Sequence, residues 1–156
     1  MWRTIRKAVI HSLMEWTDQG IVLSARPHGE GGMVVALLTH MHGRHAGFVP
    51  GGGSRKARAT WQAGNLVEVG WRAWLGGQLG SYAGEVREPH AAHALDDAAQ
   101  LAGLSAACAV LDAALPEREP HPAMFEGFSA LLGALDHPGW PVIYVRLELG
   151  LLQELG

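Results

Sequence analysis

Apolar positions along this 156-residue chain follow two different periods, and the change falls near residue 90. Between residues 14 and 88, short apolar or alternating runs are separated by glycine and polar turns. That is the pattern of an all-β unit, in which alternate side chains face a buried surface. Five strands are predicted, over residues 20–26, 33–39, 44–50, 66–75 and 79–86. The breaks between them are His28-Gly29-Glu30-Gly31-Gly32, His42-Gly43, the long stretch 51–65, and Gly76-Gly77. Five short strands suit a small closed barrel, because closure leaves no unpaired sheet edge. The connection between the third and fourth strands is the longest and has room for a short helix over 55–61.

Beyond Glu88 the apolar residues recur at three- and four-residue steps. Leu101, Leu104, Cys108, Leu111 and Leu115 follow the candidate N-cap Asp96 and predict one amphipathic helix. Pro116 and residues 117–122 end it. Met124, Phe125, Phe128, Leu131, Leu132 and Leu135 mark a second helix, and His137-Pro138-Gly139-Trp140-Pro141 separates a third over 142–155. Three short helices with mostly acidic outer faces are expected to pack as a bundle or as a layer against the barrel. The predicted fold class is α+β, with an N-terminal extension over 1–13, a five-stranded barrel over 14–90 and a small α-helical domain over 91–156.

Composition supports folding: 48% of residues are apolar and 17% charged, away from the disordered class. No run approaches the roughly 18 apolar residues of a membrane span, and no signal peptide is expected. The single cysteine, Cys108, has no internal disulfide partner, so a reducing cytoplasm is expected. A net charge of −3 conceals a division along the chain. Residues 1–13 hold Arg3, Arg6 and Lys7 without an acid, and residues 14–90 hold seven Lys/Arg against six Asp/Glu. Residues 91–156 hold only Arg118 and Arg146 against nine acids, so an anion-binding surface is expected in the first half.

The segment Gly51-Gly52-Gly53-Ser54-Arg55-Lys56-Ala57-Arg58 combines backbone freedom with three cations in four residues. Glycine N–H groups approach phosphate closely, a helix beginning near Ser54 adds its positive end, and the side chains supply charge. Arg26, Arg44 and Arg72 lie on predicted strands, and Trp61, Trp71 and Trp74 are candidates for base stacking. Whether they share a face depends on strand register.

Catalytic readings find less support. His40-x-His42-x-x-His45 has metal-ligand spacing and resembles the His-x-His-x-Asp-His signature of metallo-β-lactamase-type hydrolases. Arg44 stands at that motif's aspartate, where a cation repels a metal, so a turn with exposed or half-buried histidines is expected instead. The basic loop lacks the Gly-x-x-x-x-Gly-Lys-Ser/Thr order of a nucleotide-binding loop. Cys108 sits at helical core spacing, and no carboxylate pair stands out. No enzymatic activity, metal or cofactor is expected of this chain.

The same residues resemble the bacterial recombination mediator family RecO. The resemblance covers most of the chain from Met14. It begins with Gly20-Ile21-Val22-Leu23-Ser24-Ala25-Arg26-Pro27-His28-Gly29-Glu30 and continues through Leu38-Thr39-x-x-x-Gly43-Arg44. The basic loop and the turn Gln62-Ala63-Gly64-Asn65 follow, and Tyr144-x-Arg146-x-Glu148-x-x-Leu151-Leu152-x-x-Leu155-Gly156 is similar to a helix near the family's C-terminal part. The resemblance implies an OB-type barrel followed by a helical domain. It also implies binding of single- and double-stranded DNA, annealing of complementary strands, and work with RecR and single-stranded-DNA-binding protein, assisting RecA indirectly. Phosphate contact by Arg44, Arg55 and Lys56 is carried over from the family, and Arg146 as a partner-binding residue; Arg58 and Arg72 join them by charge and placement.

The chain departs from the family in three respects. It stops at Gly156 without the cysteine zinc cluster of longer members, and is expected to be truncated. Leu147 and Val145 replace an aromatic and, in some members, an arginine on the last helix. Residues 1–13 have no counterpart and read as an upstream start. The expected location is the cytoplasm, at the nucleoid, with no membrane partner. The competing function is a protein-interaction module whose barrel scaffolds an acidic helical partner surface.

Overall fold

Strand β1, Met14–His28, is long enough to serve two neighbours, and this closes the sheet. In the computed structural model, which describes residues 13–74 and 78–156, its first half pairs antiparallel with β4, Leu66–Ala73. Its second half pairs with β2, Gly32–Thr39. β2 pairs with β3, Gly43–Val49, which meets β5, Ser81–Glu88, in parallel at Phe48 and Ser81; β5 returns to β4. The resulting closed barrel, β1-β2-β3-β5-β4, is the OB-type arrangement. All five predicted strands form; residue 75 at the end of the fourth, the Gly76-Gly77 break and residues 1–12 of the N-terminal extension lie outside the described residues. β1 extends further at both ends than residues 20–26, because its polar start, Met14–Gln19, gains its pairing from β4, far along the chain.

Two cores share β1. Val22 points into the barrel with Met33, Val35, Leu37, Val67, Val69, Trp71 and Tyr82. Ile21 and Leu23 belong to a second core, with Leu38 of β2 and the helical residues Leu104, Leu111, Phe128 and Leu131. This wall is buried on both faces, so its sequence is the unbroken apolar run Ile21-Val22-Leu23 rather than an alternation. A bulge between Val22 and Ser24 then restores the register.

The helices are α1, Arg55–Thr60; α2, His90–Ala94; α3, Ala98–Ala114; α4, Pro122–Gly133; and α5, Trp140–Leu155. The short helix expected over 55–61 is α1, and the five-residue α2 was not anticipated. The cap of α3 is Asp97 rather than Asp96: Asp97 Oδ1 accepts from the N–H groups of Ala99 at 2.9 Å and Gln100 at 3.0 Å. Pro141 does not separate a third helix but lies in the first turn of α5, where a missing N–H leaves no hydrogen bond unmade. α5 also departs from the expected acidic exterior. Leu147 and Leu151 are buried, yet Val142, Val145, Leu149, Leu152 and Leu155 are 48–67% exposed, so the helix is apolar on two faces. No helix among the described residues is long and apolar enough to cross a membrane.

The segment between α3 and α4 joins the two cores. Arg118 donates its backbone N–H to Arg44 O at 2.7 Å, and Arg44 and Glu117 form an isolated parallel bridge. Gly43 permits this approach, with φ of +68° and no Cβ: one built there would lie 2.1 Å from Glu119 O.

Candidate nucleic-acid interface

The basic loop folds back on the barrel mouth and uses much of its own backbone to do so. Gly52 N–H donates to Val49 O, Gly53 N–H to Gly31 O, and Ser54 N–H to Gly51 O, at 3.1–3.3 Å. Ser54 Oγ caps α1 by accepting from Ala57 N–H at 3.1 Å. The expected role of glycine N–H groups as phosphate donors is therefore not available to Gly52 and Gly53, and α1, at six residues, is too short to add a helix-end field. What the loop presents is side-chain charge. Arg55, Lys56 and Arg58 are all exposed on a helix that buries none of its residues, and no acid occurs from Gly51 through Val67. Arg58 stands over a cavity of about 490 Å³ at the barrel mouth, lined also by Pro27, Met33, Gly53, Trp61 and Gln62.

The other candidate cations lie elsewhere. Arg44 is only 20% exposed in its side chain. Its Nε donates to Leu115 O at 2.6 Å, and its Nη1 lies 3.5 Å from Asp112 Oδ1 and 3.8 Å from Glu117 Oε1. Arg72 is exposed on β4 and pairs with Glu15 of β1 at 3.4 Å. It borders a groove of about 600 Å³ over Thr17, Gly70 and Ala83. Arg146 is exposed on α5, in the helical part. Two of the three stacking candidates are core residues: Trp61 and Trp71 are each 3% exposed, with Trp61 stacked on Tyr82 inside the barrel. Trp74 is 59% exposed.

The three histidines form no metal cradle; no cluster of three or more His, Cys, Asp or Glu among the described residues is arranged to hold a metal ion. His40 and His42 are half-buried at the β2–β3 turn, as the sequence predicts. His42 stacks on Trp16 and its Nδ1 lies 2.8 Å from Asp18 Oδ2. His45 departs from the expected exposed or half-buried turn histidine: it lies on β3, points inward and is 4% exposed. Tyr82 Oη donates to His45 O at 2.9 Å, which leaves it to accept from His45 Nδ1–H at 2.7 Å. Burial, with the Arg118 and His42 charges, lowers the His45 pKa to about 4. Burial also pushes the Cys108 thiol up to about 12, so it is a packed core thiol and not a thiolate nucleophile.

Two residues that the sequence reading passed over, Val34 and Phe48, lie on the outer wall of β1, β2 and β3 beside Arg26, which it named as a further cation. Arg26, Val34 and Phe48 are neighbours in one row across the three strands. Phe48 shares the alternation of Arg44 and Ala46, which was legible, but its outward direction depends on the register.

The comparison with known proteins agrees with this architecture in both halves. Residues 14–89 match the family described as Recombination protein O N terminal, and residues 95–156 match Recombination protein O C terminal. The chain belongs to the RecO family. It is 55% identical over 143 residues to the DNA repair protein RecO of Rhodospirillum centenum, covering 92% of this chain and 57% of that protein. It is 54% identical over 144 residues to the protein of the same description from Phenylobacterium zucineum, with 92% and 59% covered. For that of Caulobacter vibrioides the identity is 51% over 144 residues, with the same coverage. The chain thus spans less than two thirds of the length of these RecO relatives.

Proposed function

We propose that this chain binds DNA as a recombination mediator in DNA repair, annealing complementary single strands and assisting RecA on strands coated with single-stranded-DNA-binding protein. The observation that carries this reading is the exposed cluster Arg55, Lys56 and Arg58, in a segment without an acid from Gly51 through Val67, at the mouth of an OB-type barrel. Arg72, exposed on β4, is a further phosphate contact in this reading, and Arg44 contributes by fixing β3 against the helices. The mechanism is electrostatic. Cations neutralise phosphates on two strands, lower their mutual repulsion and leave base pairing to supply the free energy, so no bond is broken and no cofactor is used. RecR and single-stranded-DNA-binding protein are the protein partners, Arg146 is a partner contact, and the site of action is the cytoplasmic nucleoid.

The test is annealing of two complementary fluorescent oligonucleotides, with and without single-stranded-DNA-binding protein. Acceleration over the spontaneous rate, lost in the Arg55/Lys56/Arg58→Ala variant, supports the reading; a rate equal to the spontaneous one overturns it. The apolar outer stripe of α5 favours a second role as a protein-interaction module, because exposed apolar surface of this kind marks a partner site. Co-purification of a partner that survives nuclease treatment and is lost in Leu149→Glu distinguishes that role.

A further inference from the structure

Among the described residues, every serine and threonine but one lies on a strand or a helix. The exception is Ser54. It is exposed between the glycine turn and α1, with φ of −68° and ψ of 155°, an extended backbone. Its Oγ accepts from Ala57 N–H at 3.1 Å, and its hydroxyl proton has no acceptor among the described residues, so the group faces water with its nucleophilic oxygen accessible.

Three of the next four residues are cations. Arg55, Lys56 and Arg58 are exposed, and none of them forms an ion pair with a described residue. No acid occurs along the chain between Glu30 and Glu68. The two sides of Ser54 differ in how firmly they are held. Behind it, Gly52 is packed against Met33 and donates its N–H to Val49 O, and Gly53 N–H bonds to Gly31 O. Ahead of it, α1 has six residues and buries none, and a helix of that length has little stability of its own. An anchored turn therefore presents an exposed hydroxyl in front of a basic segment that unwinds readily. Extended chain is the form in which an enzyme cleft receives a peptide.

We propose that Ser54 is a phosphorylation site that switches off the basic loop, modified by a serine kinase that selects basic residues on the C-terminal side of its acceptor. Ser54 Oγ attacks the γ-phosphorus of a nucleoside triphosphate. The Oγ–P bond forms, the bond from that phosphorus to the β,γ-bridging oxygen breaks, the nucleoside diphosphate leaves with the electron pair, and the hydroxyl proton passes to a base of the kinase. The phosphoserine then engages Arg55, Lys56 and Arg58 in place of a nucleic-acid phosphate. It carries about −1.5 to −2 charges at neutral pH, which leaves the three cations with a net charge of about +1. Because it is tethered to the loop it competes at an effective concentration on the order of millimolar. Its oxygens still accept from Ala57 N–H, so α1 keeps its cap and the effect is electrostatic. This rests on the DNA-binding reading above and adds the regulation of the same loop.

The experiment treats the full chain and Ser54→Ala with a kinase of that specificity and ATP, maps the phosphate by mass spectrometry, and titrates each product with oligo-dT between low and physiological salt. Phosphate is expected on Ser54 of the wild-type chain. The phosphorylated chain should bind oligo-dT about tenfold more weakly at low salt, with the slope of log affinity against log salt reduced by about 1.4, the equivalent of two withdrawn cations. Phosphatase treatment should restore both, and Ser54→Ala should bind as the unmodified chain does with or without kinase. Thermal unfolding unchanged by the phosphate verifies that charge and not unfolding is responsible. Failure of the kinase to modify Ser54, an unchanged affinity, or a loss of affinity without a change in slope overturns the proposal; the DNA-binding reading then stands as long as the unmodified chain binds oligo-dT. If the unmodified chain binds none, both fall.

Discussion

Arg44 Nε donates to the carbonyl oxygen of Leu115 at 2.6 Å, and this one bond ties the third strand of the barrel to the end of α3. Leu115 O lies at the helix C-terminus, where carbonyls lack intrahelical donors, so a cation there meets both an orphan acceptor and the negative end of the helix. Asp112 and Glu117 complete the surroundings of the guanidinium. Arg44→Ala should lower unfolding stability by about 2 kcal/mol, the scale of a charge-assisted hydrogen bond whose acceptor is left without a partner. Urea unfolding measures this. DNA affinity measured well below the unfolding midpoint should change less than twofold; a loss as large as that of the Arg55/Lys56/Arg58→Ala variant would restore Arg44 to the phosphate-binding surface.

The α1 cations should behave in the opposite way. Arg55/Lys56/Arg58→Ala removes three exposed side chains from a helix that packs no residue into the core. Its melting temperature should therefore stay within a few degrees of wild type. Its log affinity for a single strand should fall less steeply with log salt, by about two units of slope if all three cations contact phosphates. Binding titrations between low and physiological salt decide it, and an unchanged slope would place the phosphates elsewhere.

Acid should destabilise the barrel through His45. Its pKa is depressed to about 4, whereas in the unfolded chain it returns to the ordinary value of 6.5. Above pH 6.5 the ring is neutral in both states. Between 6.5 and 4 only the unfolded state binds the proton, so stability falls across that window and levels off below it, by about 3 kcal/mol in total from this group. His45→Asn retains a donor toward Tyr82 Oη and lacks the titration, so its stability should depend less on pH across the window. Urea unfolding at a series of pH values is the measurement; an identical pH dependence in the variant would assign the effect to other groups.

Gly43→Ala tests the seam between the two cores. The new Cβ collides with the Glu119 backbone and must adopt φ near +68°. A loss of about 2–4 kcal/mol is expected from strain and displaced packing together. Circular dichroism melting reads it, and a neutral outcome would mean that the Glu117–Glu119 segment moves freely off the barrel.

Leu149→Glu with Leu152→Glu should leave the melting temperature nearly unchanged, within about 1 kcal/mol of stability, because both side chains are already in water. The pair should reduce binding of a hydrophobic dye. A cooperative loss of folding would show instead that this face of α5 is packed in solution.

Much of this protein was legible in its alternations. The strand over 33–39 and its partner over 44–50 were placed within a residue, because a wall with one face in the barrel imposes a period of two. Cys108 and the leucines around it declared a buried helix face in the same way. The sequence also located the basic loop, since charge clustering is a property of the chain itself. Residues with roles set by distant partners were not legible. Arg44 read as a phosphate ligand until Leu115, 71 positions away, supplied its acceptor. Trp61 and Trp71 read as stacking platforms until barrel closure turned them inward. The polar start of β1 carried no strand signal, because its pairing comes from β4.

Local periodicity and composition thus determined the α+β class, the number of strands and the end of the molecule that carries positive charge. The direction of each side chain, and so the division between core, seam and ligand surface, was decided by closure of β1 onto β4 and by the packing of α3 and α4 on its outer face. The physical reason is that period tells which residues share a face, while only long-range pairing tells what that face meets.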